Sequence, residues 1–276
     1  MNLVRAELLK IRSTNTWWIF GLIALPLWAA ALLYNWAMSE FLVSADNAGE
    51  GLEGTQAEQM RAVSETVNIA SNLFTSGQFF GLLVVLVLAA IVVTNEYFHQ
   101  TATTTFLVTP RRESVILAKL GAAVILGAIF WLVTTVLNLI AVPFVMDALN
   151  IGTQLGEPAV WRAIGLNGLA YALWAILGVG AGVLIRSQIG AAITLSAVYV
   201  VGFTSVAGVF ALLTQKFGEW FGYLQVLVPS TASNLMISGT ELPGSPPRWV
   251  GAVVLIGYAL FLGGLGTWIA KRRDVT

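Results

Sequence analysis

The chain has 276 residues, of which 57% are hydrophobic and only 10% are charged, and its formal net charge is zero. Soluble domains carry about a quarter charged residues, so this composition, with a mean hydropathy of +0.82, indicates a membrane protein. The absence of cysteine and the single histidine exclude a disulfide framework, a thiol nucleophile and a cysteine-based or histidine-rich metal site, and we predict no metal site.

The first segment, residues 1–14 (MNLVRAELLKIRST), is short and charged. Its apolar residues Met1, Val4, Leu8 and Ile11 recur at helical spacing. This pattern predicts an amphipathic helix on the inner membrane surface, with its arginines directed at lipid phosphates. An ordinary basic tail before a membrane anchor is the alternative.

Six apolar stretches follow, each near the 20 or so residues that a helix needs to cross a bilayer. They are residues 17–38, 77–94, 116–142, 163–185, 188–213 and 249–270. Since irregular backbone cannot face lipid, we predict an all-α integral membrane protein with six transmembrane helices in one domain, 1–276. The first stretch is longer than the apolar core of a signal peptide, so we interpret it as an anchor.

The basic residues orient these spans. With both termini in the cytoplasm, 10 of the 14 basic residues lie inside and 10 of the 14 acidic residues lie outside. This distribution follows the positive-inside rule and predicts a multi-pass protein with cytoplasmic termini. We place Lys119 at the opening of the third span and expect no ionisable side chain inside the spans. That absence makes an ion-coupled transporter a poor fit.

The polar residues that remain inside the spans, Asn138 and Asn167 among them, are typical of hydrogen bonds between helices. In the fourth span, Gly178, Gly180 and Gly182 predict close helix packing by the same principle.

Two longer segments lie on the predicted outer side. Residues 39–76 contain an apolar stripe that predicts an amphipathic helix packed on the ends of the spans. Residues 214–247 are apolar but are interrupted by Pro229, which predicts a pair of short helices that dip into the membrane from outside. An interfacial loop with an aromatic anchor at Trp220 and Phe221 is the alternative.

The loop between the second and third spans, residues 95–114 (NEYFHQTATTTFLVTPRRES), holds the only histidine and many hydroxyl groups. Its spacing is compatible with a short helix that ends at Pro110, presented to the cytoplasm between two spans. An ordinary positive-inside loop explains the same residues.

No motif for catalysis is present. None of the four lysines follows a glycine, so there is no Walker A loop, and neither H-E-x-x-H nor G-x-S-x-G occurs. We therefore expect that the chain is not an enzyme and that a partner supplies the energy for any work it does.

The order of these features resembles the membrane subunit of a type-2 ABC exporter. Glu96 follows the second span, then come Thr101, the sequence FLVTPRRES and Lys119, although Gln100-Thr101 stands where the family usually has Gly-Thr. The start NLVRAELLKIRST is similar to the family's elbow helix, and LVPSTASNLMISG is similar to its extracellular re-entrant region.

This resemblance implies a permease of the bacterial cytoplasmic membrane that exports an amphipathic or hydrophobic molecule such as a drug, peptide or lipid. It implies a cytoplasmic ABC ATPase as partner, a second permease chain, identical or related, and the lipid bilayer around both; nucleic acid is not expected. This chain would hold no cofactor, and ATP and Mg²⁺ would bind the ATPase.

The resemblance also implies roles for individual residues. The loop would be a coupling helix, and its residues that contact the ATPase would be Glu96, Tyr97, His99, Thr101, Pro110, Arg111, Arg112 and Glu113. The candidates for the translocation path or outer gate are Asn138, Asn167, Phe203, Trp220 and Phe221.

Two other functions are compatible with the sequence. A membrane scaffold or regulatory subunit would move nothing and would leave the ATPase rate of its partner independent of substrate. An integral membrane enzyme would need several polar groups to converge, for example the outer acids Asp147, Glu157 and Glu241.

Overall fold

The computed structural model describes residues 2–45, 55–101, 105, 111–218 and 220–272, and every element in these ranges is a helix. The helices are α1 (Asn2–Ser13), α2 (Thr16–Ala45), α3 (Thr55–Ser64), α4 (Thr66–Phe74), α5 (Gln78–Phe98), α6 (Arg112–Ala148), α7 (Pro158–Ile185), α8 (Gln188–Phe217), α9 (Trp220–Tyr223), α10 (Pro229–Ile237) and α11 (Arg248–Arg272). A 3-10 helix, Leu224–Leu227, joins α9 to α10.

Six of these helices, α2, α5, α6, α7, α8 and α11, are long and apolar enough to cross a membrane, which confirms the predicted all-α architecture with six span-length helices. The helices extend beyond the apolar runs that predicted them. For example, α6 covers Arg112–Ala148 where the hydropathy predicted 116–142. Backbone hydrogen bonding continues into the polar flanks, where hydropathy no longer reports the helix.

Burial separates the spans into central and peripheral helices. Most side chains of α5 and α7 are buried, whereas α2 and α8 are largely exposed. Apolar side chains that remain exposed on such long helices suit contact with lipid. Thus α5 lies at the centre of the bundle, and each of its two ends lies close to one of the two sites described below.

Close packing of α7 depends on its glycines, as predicted. A Cβ atom at Gly178 would collide with the Leu86 carbonyl of α5, and one at Gly182 would lie 2.8 Å from the Ala90 carbonyl oxygen of the same helix. Gly180 makes the equivalent approach to Leu262 of α11. Small residues therefore let α7 lie directly against two neighbouring backbones.

The predicted amphipathic helix in 39–76 forms two helices instead of one. Residues 39–45 continue α2, and Glu65 adopts an extended conformation between α3 and α4. This break lets α4 pack its own apolar face against the ends of α6 and α7, where Leu73 and Phe74 are fully buried. The prediction that this segment packs on the ends of the spans is therefore confirmed.

Two short helical segments flank Pro229, as predicted for 214–247. Before it, α9 runs into the 3-10 helix, and Pro229 itself opens α10, where its missing N–H has no helical partner to lose. The α10 helix packs against α7, and the Trp174 indole donates a 2.8 Å hydrogen bond to Ser233 Oγ. Entry of this region into the membrane stays a prediction.

Residues 2–13 form the predicted N-terminal helix, α1. Ile11 packs against Leu88 and Val92 of α5 and Leu126 of α6, while Arg5 is exposed. The apolar stripe of α1 therefore contacts the bundle, and this contact brings the polar residues of α1 to the ends of two spans.

Candidate functional site

A cluster of four charged side chains lies where α1, the last turns of α5 and the first turns of α6 meet. Glu7 and Lys10 come from α1 and are adjacent because they are three residues apart on a helix. Glu96 lies near the end of α5, and Lys119 lies two turns into α6. We call these four residues the ionic cluster.

Each positive group in the ionic cluster contacts both negative groups. Lys119 Nζ lies 2.8 Å from Glu7 Oε2 and 2.9 Å from Glu96 Oε1. Lys10 Nζ lies 2.7 Å from Glu7 Oε1 and 2.7 Å from Glu96 Oε1. The two ammonium groups and two carboxylates thus alternate, and their formal charges cancel.

The ionic cluster is buried on its inner side. The Lys119, Glu7 and Glu96 side chains are 2%, 7% and 9% exposed, so none of them has bulk water to stabilise its charge. The Lys10 side chain is about half exposed and lies between the ionic cluster and solvent. Burial acts to lower the pKa of Lys10, but hydrogen bonds and charge from Glu7 and Glu96 outweigh it, so that pKa lies above its usual value.

Two residues of the ionic cluster lie in the end turns of span-length helices, and the expectation that the span interiors hold no ionisable side chain stays a prediction. Glu96 and Lys119 both lie within span-length helices and both are buried. They are tolerated there because they pair with each other, and because α1 supplies a second carboxylate to Lys119 and a second ammonium to Glu96. In the sequence, Lys119 stood at the opening of a span, and Glu7 and Lys10 were evident only as charges on the predicted inner side.

The structure places the other predicted coupling residues around the ionic cluster. Tyr97 is half-buried under the Arg186 guanidinium, 5.5 Å from its ring centre. His99 is exposed, and the Thr101 N–H donates a 2.9 Å hydrogen bond to the Glu96 carbonyl oxygen. These contacts hold the exit of α5 against neighbouring elements.

The remaining loop residues are described only in part. Arg111 and Glu113 are exposed at the start of α6. Arg112 begins that helix, but its side chain lies outside the described residues, as do Pro110 and most of the predicted short helix. The prediction of a coupling helix in the loop stays a prediction.

A cavity of about 850 Å³ lies at the other end of α5. Its walls come from α2, α4, the start of α5, α10 and the loop after α10, and Val63 of α3 and Phe203 of α8 complete them. Tyr34, Phe79 and Phe80 give it aromatic surface, while Asn72 and Asn234 are exposed amides on its wall. All of the lining residues within the described part of the chain are uncharged.

Gln78 is the first residue of α5 and lines this cavity. It is only 6% exposed, and its Nε2 atom makes no hydrogen bond to any residue that the structure describes. A buried amide N–H without an acceptor is costly, so such a group is either strained or awaits a partner. Sequence analysis missed Gln78, whose one available signal was its position as the first polar residue before an apolar span.

The predicted path residues are dispersed. Phe203 packs against Phe79 on the cavity wall, with ring centres 4.6 Å apart. Asn138 is buried and donates to the carbonyl oxygens of Phe74 and Ser76, which holds the turn before α5 in place.

Asn167 is also buried, and its Oδ1 makes no hydrogen bond to a described residue. Trp220 and Phe221 stack on each other with centres 4.0 Å apart, away from the cavity wall. The structure therefore brings only one of the five predicted path residues to the cavity.

Comparisons with known proteins add no identification: no family model matches the chain, and no curated protein matches it. Among the described residues, no group of three or more His, Cys, Asp or Glu side chains is arranged to hold a metal ion. Interpretation of the chain therefore depends on the ionic cluster, the cavity and the sequence resemblance.

Proposed function

We propose that the chain is the membrane-spanning subunit of an ATP-driven exporter, coupled to a separate cytoplasmic ATPase. It moves an uncharged amphipathic molecule and works with a second permease chain, identical or related. The observation that carries this proposal is the placement of the ionic cluster and the cavity at opposite ends of one central helix, α5.

The length of α5 supports a mechanical link between the two sites. Gln78 and Glu96 are 18 residues apart (96 − 78), which corresponds to about 27 Å along a helix. Because α5 is buried between other helices over most of this length, a displacement at Glu96 reaches Gln78 without being absorbed by bending.

The ionic cluster supports a role in receiving that displacement. The loop 95–114 connects α5 to α6, and α1 is held to both by the four charges. If one element moved alone, a buried charge would lose its partner, so α1, α5 and α6 respond to a push on the loop as one unit. ATP-driven closure of the partner would supply this push and alternate the access of the cavity.

The test is to purify the tagged chain from its native membrane in mild detergent and to measure ATP hydrolysis in the eluate. The informative variant is Arg111→Glu, which reverses an exposed charge in the loop. Its matched control is Arg61→Glu, an exposed arginine on α3 at the other end of the bundle.

We expect wild type and Arg61→Glu to retain an ATPase that carries a Walker A motif. Arg111→Glu should retain about tenfold less, because like charges at an interface oppose docking. If wild type retains no ATPase, the exporter proposal fails and a non-transporting scaffold explains the chain better. If both variants retain equal amounts of ATPase, the loop is not part of the surface that docks the ATPase.

A further inference from the structure

The cavity suggests which chemical class the protein binds. We propose that it is a binding site for a single-chain, uncharged amphiphile whose head group carries a hydrogen-bond acceptor such as an ester or amide carbonyl, and that the Gln78 amide donates to this acceptor. Binding as such needs no ATPase, but the identification of this ligand as the transported molecule rests on the proposed function.

The uncharged character of the described lining residues indicates which ligand charge suits the cavity. Hydroxyl, amide and apolar groups form the wall, and none of the lining residues that the structure describes is Asp, Glu, Lys, Arg or His. A carboxylate, phosphate or ammonium in this space would leave water without gaining a counter-charge from these lining residues. An uncharged head group avoids that cost.

Which amides of the cavity wall already have hydrogen-bond partners indicates what the ligand head group has to supply. Asn35 donates to Ser76 Oγ at 2.8 Å, and Asn68 donates to Thr240 Oγ1 at 2.6 Å, so these amides already have partners. The buried Gln78 Nε2 has no partner among the described residues. Nε2 has almost no accessible surface in this rotamer, so the Gln78 side chain has to rotate to donate to an acceptor that a ligand supplies. A hydrocarbon would leave the group unpaired in either rotamer.

The size and the aromatic surface of the cavity suit the apolar part of such a ligand. Pockets for small molecules commonly enclose about 300–1,000 Å³, and the cavity falls in this range. Phe79, Phe80 and Phe203 offer a continuous aromatic wall next to Gln78. An acyl chain placed along this wall would bring its head group to the amide.

The experiment uses a monoacylglycerol with a diazirine in its acyl chain. The purified full chain is reconstituted in nanodiscs of phosphatidylcholine, irradiated with this probe, and mapped by mass spectrometry. We expect labelling of peptides from α2, α5 and α10 that line the cavity, and competition by excess unlabelled monoacylglycerol. An N-acyl taurine and an alkyl trimethylammonium of equal chain length should not compete.

Two pairs of variants test the geometry. Gln78→Leu should reduce cavity labelling about fivefold, the effect of losing one hydrogen bond, whereas Gln215→Leu, an exposed glutamine at the end of α8, should not. Ala31→Phe fills the cavity from α2 and should abolish labelling, while Ala37→Phe, exposed on the same helix outside the lining, should leave it intact. Gel filtration confirms that each variant is folded, and the alanine pair keeps the test decisive if Gln78→Leu fails to fold.

Three results would overturn the proposal: labelling spread over lipid-facing helices, labelling unchanged by Ala31→Phe or by a folded Gln78→Leu, and equal competition by either charged amphiphile. These readouts require no ATPase. If the probe binds but no ATPase co-purifies, the binding-site proposal stands and the exporter proposal fails. If an ATPase co-purifies but the probe does not bind, the exporter proposal stands and the binding-site proposal fails.

Discussion

Lys119 is the residue whose environment departs furthest from what its type predicts. Its ammonium is 2% exposed and lies within hydrogen-bonding distance of Glu7, Glu96 and the Val92 carbonyl oxygen. A lone ammonium buried in this position would have no partner for its charge, which is costly. Two carboxylates surround the Lys119 ammonium, and those carboxylates depend on it in turn.

Removal of the Lys119 charge should therefore destabilise the protein. Lys119→Met keeps most of the side-chain volume but leaves Glu7 and Glu96 with Lys10 alone, and we expect a loss of about 3–5 kcal/mol in the free energy of unfolding. Denaturant titration in detergent measures it. Lys216→Met, at an exposed lysine at the end of α8, is the matched control and should change stability by less than about 0.5 kcal/mol.

A double variant separates charge balance from packing. Lys119→Met with Glu96→Gln leaves one carboxylate and one ammonium, Glu7 and Lys10, which remain paired at 2.7 Å. We expect the double variant to be more stable than the sum of the single losses by about 1–2 kcal/mol. Strict additivity would mean that the four charges do not act as one group.

At the scale of elements, the central contact of the bundle is the interface between α5 and α7, where glycines of α7 lie against the α5 backbone. Gly178→Ala places a methyl group against the Leu86 carbonyl and 2.8 Å from the Ala89 Cβ atom, so a backbone must shift. We expect a loss of about 1–3 kcal/mol from overpacking, measured by thermal unfolding in detergent.

The control for this interface lies on the same helix. Gly165 has no atom within 4 Å of an added Cβ atom, so Gly165→Ala should be neutral or should stabilise α7 by up to about 1 kcal/mol through helix propensity. Equal effects of the two alanines would show that contact with α5 does not limit the position of α7.

The spans were predictable because each is a local pattern. Apolar length alone located all six span-length helices, and the glycines of α7 indicated that this helix packs closely against its neighbours. The ionic cluster was not predictable in the same way, since Glu7 and Lys119 are 112 positions apart and meet only when α1 folds back on the bundle. The lysine within the run VILAKLGAAV was the available signal, because a charge there requires a partner.

The cavity could not be predicted from the sequence because it too depends on residues that are far apart along the chain. Its lining comes from α2, α3, α4, α5, α8, α10 and the loop after α10, and the unpaired state of Gln78 depends on where these elements stop relative to one another. Hydropathy predicts that each helix exists, but not the space left between them. The break at Glu65 illustrates the point, because it turns one predicted helix into two and puts α4 on the cavity wall.

At the scale of the whole molecule, the proposed link through α5 predicts that ligand binding at one end is felt at the other. The chain has no cysteine, so Phe98→Cys introduces a single site for a nitroxide at the exposed end of α5. Addition of the monoacylglycerol should change the mobility of this label in its electron paramagnetic resonance spectrum. A label at Ile193→Cys, exposed on α8, should not respond.

The same label can show whether the ionic cluster is part of this link. In the double variant that lacks the Lys119 and Glu96 charges, α5 is no longer held to α6 by an ion pair, so we expect binding to persist while the response at position 98 disappears. If the response survives, α5 transmits motion through packing alone. If the label is silent in a wild-type chain that demonstrably binds the probe, the two ends are independent, and the cavity would have to be explained without the loop.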